Sequence, residues 1–184
     1  MDKIIDAGQL QERVEVLHLQ ETAPRRYSWA VERRTWAAVE LTGRRQAFSA
    51  YGVGAAGVKL TIRRQDISLA HALRWRGQHC HIVTISSQGR GYLTVEAALV
   101  EVSACADRHR DVEFPAILAE RYLRFNELAP QDINVLRHML ITPKAISLTP
   151  GRLVEVAGVS WPIRLAHTLG PYVNEYEVER LVDL

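Results

Sequence analysis

Apolar and polar residues alternate with a period of two in most segments of this chain. In residues 58–64, for example, Val58, Leu60 and Ile62 alternate with polar side chains. This is the period of a half-buried β-strand, because successive side chains of a strand point to opposite faces of the sheet. Strands are likewise predicted at 10–19, 73–75, 79–86, 92–102, 138–141, 152–156, 159–166 and 172–182. Residues 34–41 are largely apolar on both faces, which predicts a strand covered on both sides, either by its own fold or by another subunit. The sequence therefore predicts a mainly β fold.

Short turns separate the strands of the first half of the chain. Arg76-Gly77-Gln78 links two of them as a hairpin, and Gly89-Arg90-Gly91 turns the chain into the next. Five or six strands with such turns and no clear helical segment are typical of a small barrel or sandwich. We therefore expect residues 1–104 to form a small antiparallel β-barrel.

Residues 105–184 are expected to form a second β-rich module. A polar linker is predicted at 105–113, followed by one short helix at about 115–128, because Pro115 can begin a helix and Leu118, Tyr122 and Phe125 share a helical face. Strands follow again after residue 138.

The second module also resembles a degenerate copy of the first. The tripeptide Ile67-Ser68-Leu69 matches Ile146-Ser147-Leu148, and turn glycines follow at similar spacings. This pattern indicates a repeat of about 80 residues. Unrelated antiparallel modules would share turn glycines for steric reasons alone, so both interpretations stand at this point.

Composition excludes several classes of protein. Of the 184 residues, 47% are hydrophobic and 24% are charged, which is enough apolar content for a folded core. Disordered chains have lower hydrophobicity and a higher net charge than the +2 of this chain. The chain has no apolar run of the roughly 20 residues that a membrane span requires. Its first residues are acidic and lack the pattern of a signal peptide, and two cysteines do not make a disulfide framework. We expect a cytosolic product with reduced cysteines.

Charge is unevenly distributed along the chain. Residues 1–104 carry 14 Lys and Arg against 10 Asp and Glu, whereas residues 105–184 carry 9 against 11. Arginine doublets at 25–26, 33–34, 44–45 and 63–64 cause the excess, and a doublet in a strand spreads its charge to both faces. Solvated arginines with carboxylate partners on a neighbouring subunit are therefore favoured over a nucleic-acid groove, which concentrates its charge on one face.

A long glycine-rich loop is predicted at residues 42–57. Connections of this length are usually functional or mobile. Within it, residues 52–57 fit the spacing of a dinucleotide-binding fingerprint, but that motif requires a strand before it and a helix after it. Glycine flexibility is the favoured interpretation.

The motifs of common active sites and metal sites are missing. His79 and His81 share a strand face, and Cys105 and His109 are four residues apart, but neither pair has the spacing of a zinc site. We found no nucleophile motif and no paired carboxylates of the kind that catalysis uses. The sequence predicts no catalytic residue, no metal and no cofactor.

The order of several short patterns in the first half resembles a known family. These patterns are Gly8-x-Leu10-x-x-Arg13-Val14-x-Val16, then Trp36-Ala37-Ala38-Val39-Glu40 with Gly43-Arg44, then Leu60-x-Ile62-Arg63, and Leu73-Arg74-Trp75-Arg76-Gly77 leading to His81-Ile82. Together they look like the head-tail adaptor, or head-closure, family of tailed bacteriophages, over residues 7–102. The additional 80 or so residues at the C-terminus depart from that family, which leaves the ring stoichiometry open.

The resemblance implies a structural virion protein without catalytic residues. It would be made in the host bacterial cytoplasm and form a homo-oligomeric ring, a hexamer or dodecamer, in the neck of the particle. Its partners would be the portal or adaptor protein, the tail or tail-terminator protein and the packaged double-stranded DNA, bound without sequence specificity. No membrane partner is implied.

The residues add candidate contacts to that picture. The loop is expected to rearrange on docking through Gly43, Arg44, Arg45, Phe48, Tyr51, Gly52, Gly54 and Gly57. The subunit interface is expected to include Arg33, Arg34, Trp36, Arg63 and Arg64. Two alternatives remain: a nucleic-acid-binding β-barrel that uses Arg74, Trp75 and Arg76, and an enzyme with an unfamiliar site.

Overall fold

The computed structural model of the chain describes residues 7–45, 55–120 and 136–180. A 3₁₀ turn at Ala7–Gln9 is the one helical element among them. The strands are β1 (Glu12–Ala23), β2 (Arg26–Arg45), β3 (Ala55–Arg63), β4 (Ala72–Trp75), β5 (Gln78–Gln88), β6 (Tyr92–Val100), β7 (Ser103–Asp107), β8 (Val112–Glu120), β9 (Leu136–Pro143), β10 (Leu153–Val156), β11 (Val159–His167) and β12 (Val173–Arg180). The mainly β fold class is confirmed.

The described residues divide into two compact units. The first contains residues 7–18, 30–45 and 55–100, and the second contains residues 19–29, 101–120 and 136–180. The tip of the β1–β2 hairpin thus belongs to the second unit. The predicted modules, 1–104 and 105–184, differ from these units chiefly in that tip.

The six strands of the first unit pair in a closed cycle. The order is β1-β4-β5-β6-β3-β2, and β2 pairs with β1 to complete it. The alternating apolar residues of these strands point inward, so that Val14, Leu60, Leu73 and Val95 are fully buried. Burial of such side chains contributes on the order of 1.5–3 kcal/mol each, which makes this core the main source of stability of the unit.

The six strands of the second unit also pair in a closed cycle, in the order β7-β10-β11-β12-β9-β8, with β8 and β7 adjacent. Leu140, Val154 and Tyr176 lie in its core. The buried hydroxyl of Tyr176 accepts a hydrogen bond of 3.0 Å from the backbone N–H of Leu148. This bond holds the connection between β9 and β10 against the core.

The two units share one topology. Counting from β7 instead of β1, the strands of the second unit pair in the same order as those of the first. The β4–β5 and β10–β11 turns have the same backbone, with positive φ at Arg76 and Gly77 (50° and 81°) and at Ala157 and Gly158 (49° and 83°). Register shifts also occur at corresponding places, between Ile82 and Thr84 and between Ile163 and Leu165. These agreements favour an internal duplication over chance sharing of turn glycines.

The prediction of a helix at 115–128 is wrong for residues 115–120, which the structure describes as part of a strand. Residues 112–120 form β8, in which Phe114 and Ala116 face the core of the second unit and Pro115 pairs opposite Ala104. The helical spacing depended on Tyr122 and Phe125, whereas residues 114–119 form a short, continuous apolar run, in which periodicity does not distinguish a strand from a helix. Pairing with β7 and β9 therefore decides the conformation. Residues 121–128 lie outside the described residues.

The linker predicted at 105–113 is also corrected. Cys105 and Asp107 belong to β7, and Val112 begins β8, so that only a tight turn separates the two strands. The sequence did not reveal β7, because this strand has only five residues and alternation cannot be recognised over so short a segment.

The turn at Ala157 yields a stability prediction. Alanine is disfavoured at positive φ, whereas asparagine adopts positive φ more readily. Asparagine is also preferred over alanine at the first central position of a two-residue hairpin turn, which Ala157 occupies. We expect Ala157→Asn to raise the free energy of unfolding by about 0.5–1 kcal/mol. Denaturant unfolding measures this, with Ala145→Asn, at an exposed position of ordinary φ, as the control. An equal gain in the control would contradict the explanation.

Candidate functional site

The predicted docking loop is shorter than expected, because β2 and β3 extend into it. Thr42 pairs with Gly57 and Arg45 pairs with Ala55. Gly57 is buried, and it also pairs with Ala98 of β6. The loop prediction is therefore wrong for residues 42–45 and 55–57, where small residues masked the strand pattern.

The structure places the predicted loop residues in two groups. Gly43, Arg44 and Arg45 are the last three residues of β2, and Arg44 and Arg45 pair with β3. A register shift occurs between Thr42 and Arg44. Phe48, Tyr51, Gly52 and Gly54 lie outside the described residues.

Arg33 and Arg34 have partners in their own chain. The side chain of Arg33 is half-buried and donates hydrogen bonds to Gln65 Oε1, at 2.8 Å, and to Glu32 and the backbone oxygen of Asp66. Arg34 Nε lies 3.0 Å from Glu15 Oε1. The carboxylate partners expected on a neighbouring subunit are thus, for these two arginines, within the same unit.

Arg64 lies beyond the end of β3. Its backbone N–H donates to the oxygen of Gly91 at 2.8 Å, and its guanidinium donates to the oxygen of Gly89 at 3.3 Å. These bonds fasten the β5–β6 turn to β3, which gives Arg64 a structural role in its own unit.

Trp36 and Arg63 remain open to solvent. Trp36 is 54% exposed, although it lies within a long, well-paired strand, and the guanidinium carbon of Arg13 lies 6.0 Å from its ring centre. Ala37 pairs with Ile62, which makes Trp36 and Arg63 the next opposed pair on the outer face. Arg63 in turn pairs with Tyr92. We call this set, Arg13, Trp36, Arg63 and Tyr92, the Trp36 row.

The Trp36 row crosses four strands, β1, β2, β3 and β6, and alternates arginine with an aromatic residue. Trp36 and Arg63 were predicted as interface residues from the sequence, whereas Arg13 and Tyr92 were not. The two missed residues could be placed only once the strand register was known, because they come from strands remote in sequence.

The carboxylate of Glu15 lies two residues from Arg13 on the same face of β1. Glu15 accepts from Arg34 and, at 2.6 Å, from Arg74 on the other side. These hydrogen bonds, first from Arg74 and then from Arg34, lower the pKa of the Glu15 carboxyl. One negative charge is thus shared between two guanidinium groups beside the Trp36 row.

Trp75 is not an exposed stacking surface. It is 7% exposed, its indole N–H donates to Glu12 at 3.1 Å, and the Arg76 guanidinium covers its ring at 4.9 Å. Glu12 also binds Arg76, which lowers the pKa of Glu12. Since Arg74 and Arg76 are both paired with carboxylates, this position lacks the open ring and free cations expected of the nucleic-acid alternative.

The cysteines are unsuited to redox or nucleophilic chemistry. Cys80 and Cys105 are free and buried, and burial raises the pKa of each thiol to about 12. Both thiols are therefore protonated at neutral pH, and thiolate reactivity is suppressed.

The described residues contain no group of three or more metal-ligating side chains close enough to hold an ion. No helix in the described part of the chain is long and apolar enough to cross a membrane.

His79 and His81 predict a pH dependence of stability. Burial lowers the pKa of each ring to about 4, helped at His79 by neighbouring His81 and Arg74. The unfolded chain takes up protons near pH 6.5 while the folded chain does not, so the free energy of unfolding should fall between about pH 6.5 and pH 4. The loss is at most about 2 kcal/mol per ring between pH 7 and pH 5.

Thermal unfolding of the His79→Gln/His81→Gln variant tests this expectation. The variant should lose less stability than the natural chain between pH 7 and pH 5, a range above that in which the paired carboxylates titrate. An equal loss in both proteins would contradict the assignment.

The chain matches no protein-family model, no curated protein and no solved structure.

Proposed function

We propose that this chain is a structural protein of the neck of a tailed virus particle. Copies of it form a ring, a hexamer or dodecamer, that connects or closes the DNA-filled head and docks the tail. The resemblance of residues 7–102 to head-tail adaptor proteins suggested this function. The exposed residues of the Trp36 row support it further.

The Trp36 row is the observation that carries the proposal. A tryptophan that is more than half exposed on a rigid sheet, between two arginines, has the composition of a binding hot spot, where Trp, Tyr and Arg are the enriched residues. Because Arg33, Arg34 and Arg64 are bound within their own unit, Trp36 and Arg63 are the predicted interface residues that remain available.

The partners follow from the ring. The portal or adaptor protein lies on the head side, the tail or tail-terminator protein on the tail side, and packaged DNA passes through the channel without sequence-specific contacts. Residues 46–54, with Phe48, Tyr51, Gly52 and Gly54, form the proposed docking segment. The chain acts as a building block and not as an enzyme.

A virus with a stop codon in this gene tests the function. DNA-filled heads and separate tails should accumulate in infected cells, and supplying the chain from a plasmid should restore joined particles. Complete infectious particles in the absence of the chain would refute the proposal.

A further inference from the structure

The second unit closes the same six-stranded sheet without a counterpart of the Trp36 row. Strand pairs and turns that match between the units place the corresponding positions at Ala104, Pro115, Pro143 and Val173. Pro143 pairs with Val173 there, as Arg63 pairs with Tyr92 in the first unit. None of the four corresponding side chains is charged or aromatic. The arginines and rings of the row are therefore not required to close the sheet, which indicates a role in binding.

Two cations of the row lack an acidic partner. Arg13 and Arg63 are exposed, and neither forms an ion pair with a carboxylate in the described part of the chain. Arg34, which lies on the same face of β2 as the row, shares Glu15 with Arg74. All four side chains of the row carry N–H or O–H groups that donate hydrogen bonds. The row therefore fits a partner that presents negatively charged acceptors along a line.

A second copy of this chain is a poor source of those acceptors. The described part of its second unit carries 9 Lys and Arg against 10 Asp and Glu, so its net charge is close to zero. Asp107, Asp111, Glu155, Glu177 and Glu179 are also bound to partners within their own chain. A contact with the row would have to break those pairs, which favours a different molecule as the partner.

The backbone of duplex DNA presents acceptors of the required kind. It carries one negative charge per about 1.7 Å of helix axis, and arginine and tyrosine are usual donors to phosphate oxygens. Strands about 4.8 Å apart give the four-strand row a length of about 14 Å, or about four base pairs of duplex. Glu40 lies on the same face about 13 Å along β2 from Trp36. Charge and length thus favour DNA that lies along the row, across the strands and away from Glu40.

We propose that the Trp36 row binds the phosphodiester backbone of the packaged double-stranded DNA and does not read its sequence. Arg13 and Arg63 pair with phosphates and release the counterions bound there, whereas Trp36 and Tyr92 add contacts without charge. This inference rests on the proposed function and assigns the row, including two residues expected at a subunit interface, to the wall of the DNA channel. Because ion pairs with phosphates supply the affinity, the binding must weaken as salt is added.

Fluorescence anisotropy of labelled oligonucleotides tests the contact. The full-length chain, at concentrations up to about 100 µM, is titrated into a 20-base-pair duplex or a 20-residue single strand between about 50 and 200 mM salt. A labelled poly-glutamate of 20 residues represents an acidic protein segment. The slope of log affinity against log salt counts the phosphates that are neutralised, at about 0.9 per phosphate of duplex. Circular dichroism confirms that each variant is folded.

We expect the natural chain to bind the duplex with an affinity that falls as salt is added, and Arg13→Gln/Arg63→Gln to reduce the slope by about two. Arg63→Gln alone should reduce it by about one. Trp36→Ala should weaken binding about threefold or more and leave the slope unchanged, because the indole is uncharged. Arg152→Gln, which removes one exposed arginine of the second unit, should change neither the affinity nor the slope.

No binding of the duplex at about 50 mM salt would overturn the proposed contact. A slope that Arg13→Gln/Arg63→Gln leaves unchanged, or that Arg152→Gln reduces as much as Arg63→Gln does, would also overturn it. Equal or tighter binding of poly-glutamate would identify the row as a site for an acidic protein instead. A preference of about tenfold or more for the single strand would exclude the packaged duplex as the partner.

These outcomes are separate from those that test the proposed function. If particles require the chain but the row does not bind the duplex, the DNA contact is wrong and the neck function stands. If complete particles form without the chain, the function falls whatever the row binds.

Discussion

Replacing residues 46–54 with Asn-Gly is expected to leave a folded subunit and to reduce head–tail joining to background. Arg45 and Ala55 are paired, so a two-residue turn can connect β2 to β3 without changing their register. The buried residues described for the core of the first unit lie in β1 to β6, and the variant retains all of them. The variant therefore separates the docking segment from the fold.

Circular dichroism and thermal unfolding establish that the variant is folded, and infection with the stop-codon virus measures joining. A matched control replaces the β5–β6 turn residues Gly89-Arg90 with Asn-Gly, which changes another loop of the same unit. Joining at the natural level by the variant without residues 46–54 would contradict the docking role. Loss of joining by the control alone would place docking at the other turn.

Truncating Leu60 or Leu140 is expected to destabilise the chain strongly, each in a different unit. Both leucines are completely buried, and the two occupy corresponding positions opposite Val95 in β6 and Tyr176 in β12. Leu→Ala at such sites costs about 2–5 kcal/mol, since it removes buried apolar area and leaves a cavity. Leu153→Ala, at a 60% exposed position, should change stability much less.

Hydrogen exchange locates each effect. Leu60→Ala should accelerate amide exchange mainly in β3 and β6, and Leu140→Ala mainly in β9 and β12, because each closed sheet has its own core. A loss of less than about 1 kcal/mol, or equal acceleration in both units from one variant, would show that the cores are not organised as described.

Most strands could be predicted from the local sequence, because the residues that point into the core alternate with residues that point outward. The alternation in residues 58–64, for example, predicted the strand that the structure shows as β3. Prediction failed where the alternation was interrupted or the neighbours were remote. Pro115 and the spacing of Leu118 suggested a helix, but β7 and β9 impose strand pairing on that segment.

The site was predicted only in part. Trp36 was predicted at an interface because both faces of its strand are largely apolar in sequence, and its 54% exposure agrees with an outward position. The partners of Arg33 and Arg34 could not be predicted, since Gln65 and Glu15 come from other strands and only the register brings them together. Arg13 and Tyr92 were missed for the same reason.

Reconstruction of the neck from purified virions by electron cryo-microscopy tests the central claim most directly. We expect density for a closed ring of copies of this chain between portal and tail, with two six-stranded closed sheets in every subunit. A neck resolved well enough to trace all of its chains, with this one missing, would contradict it.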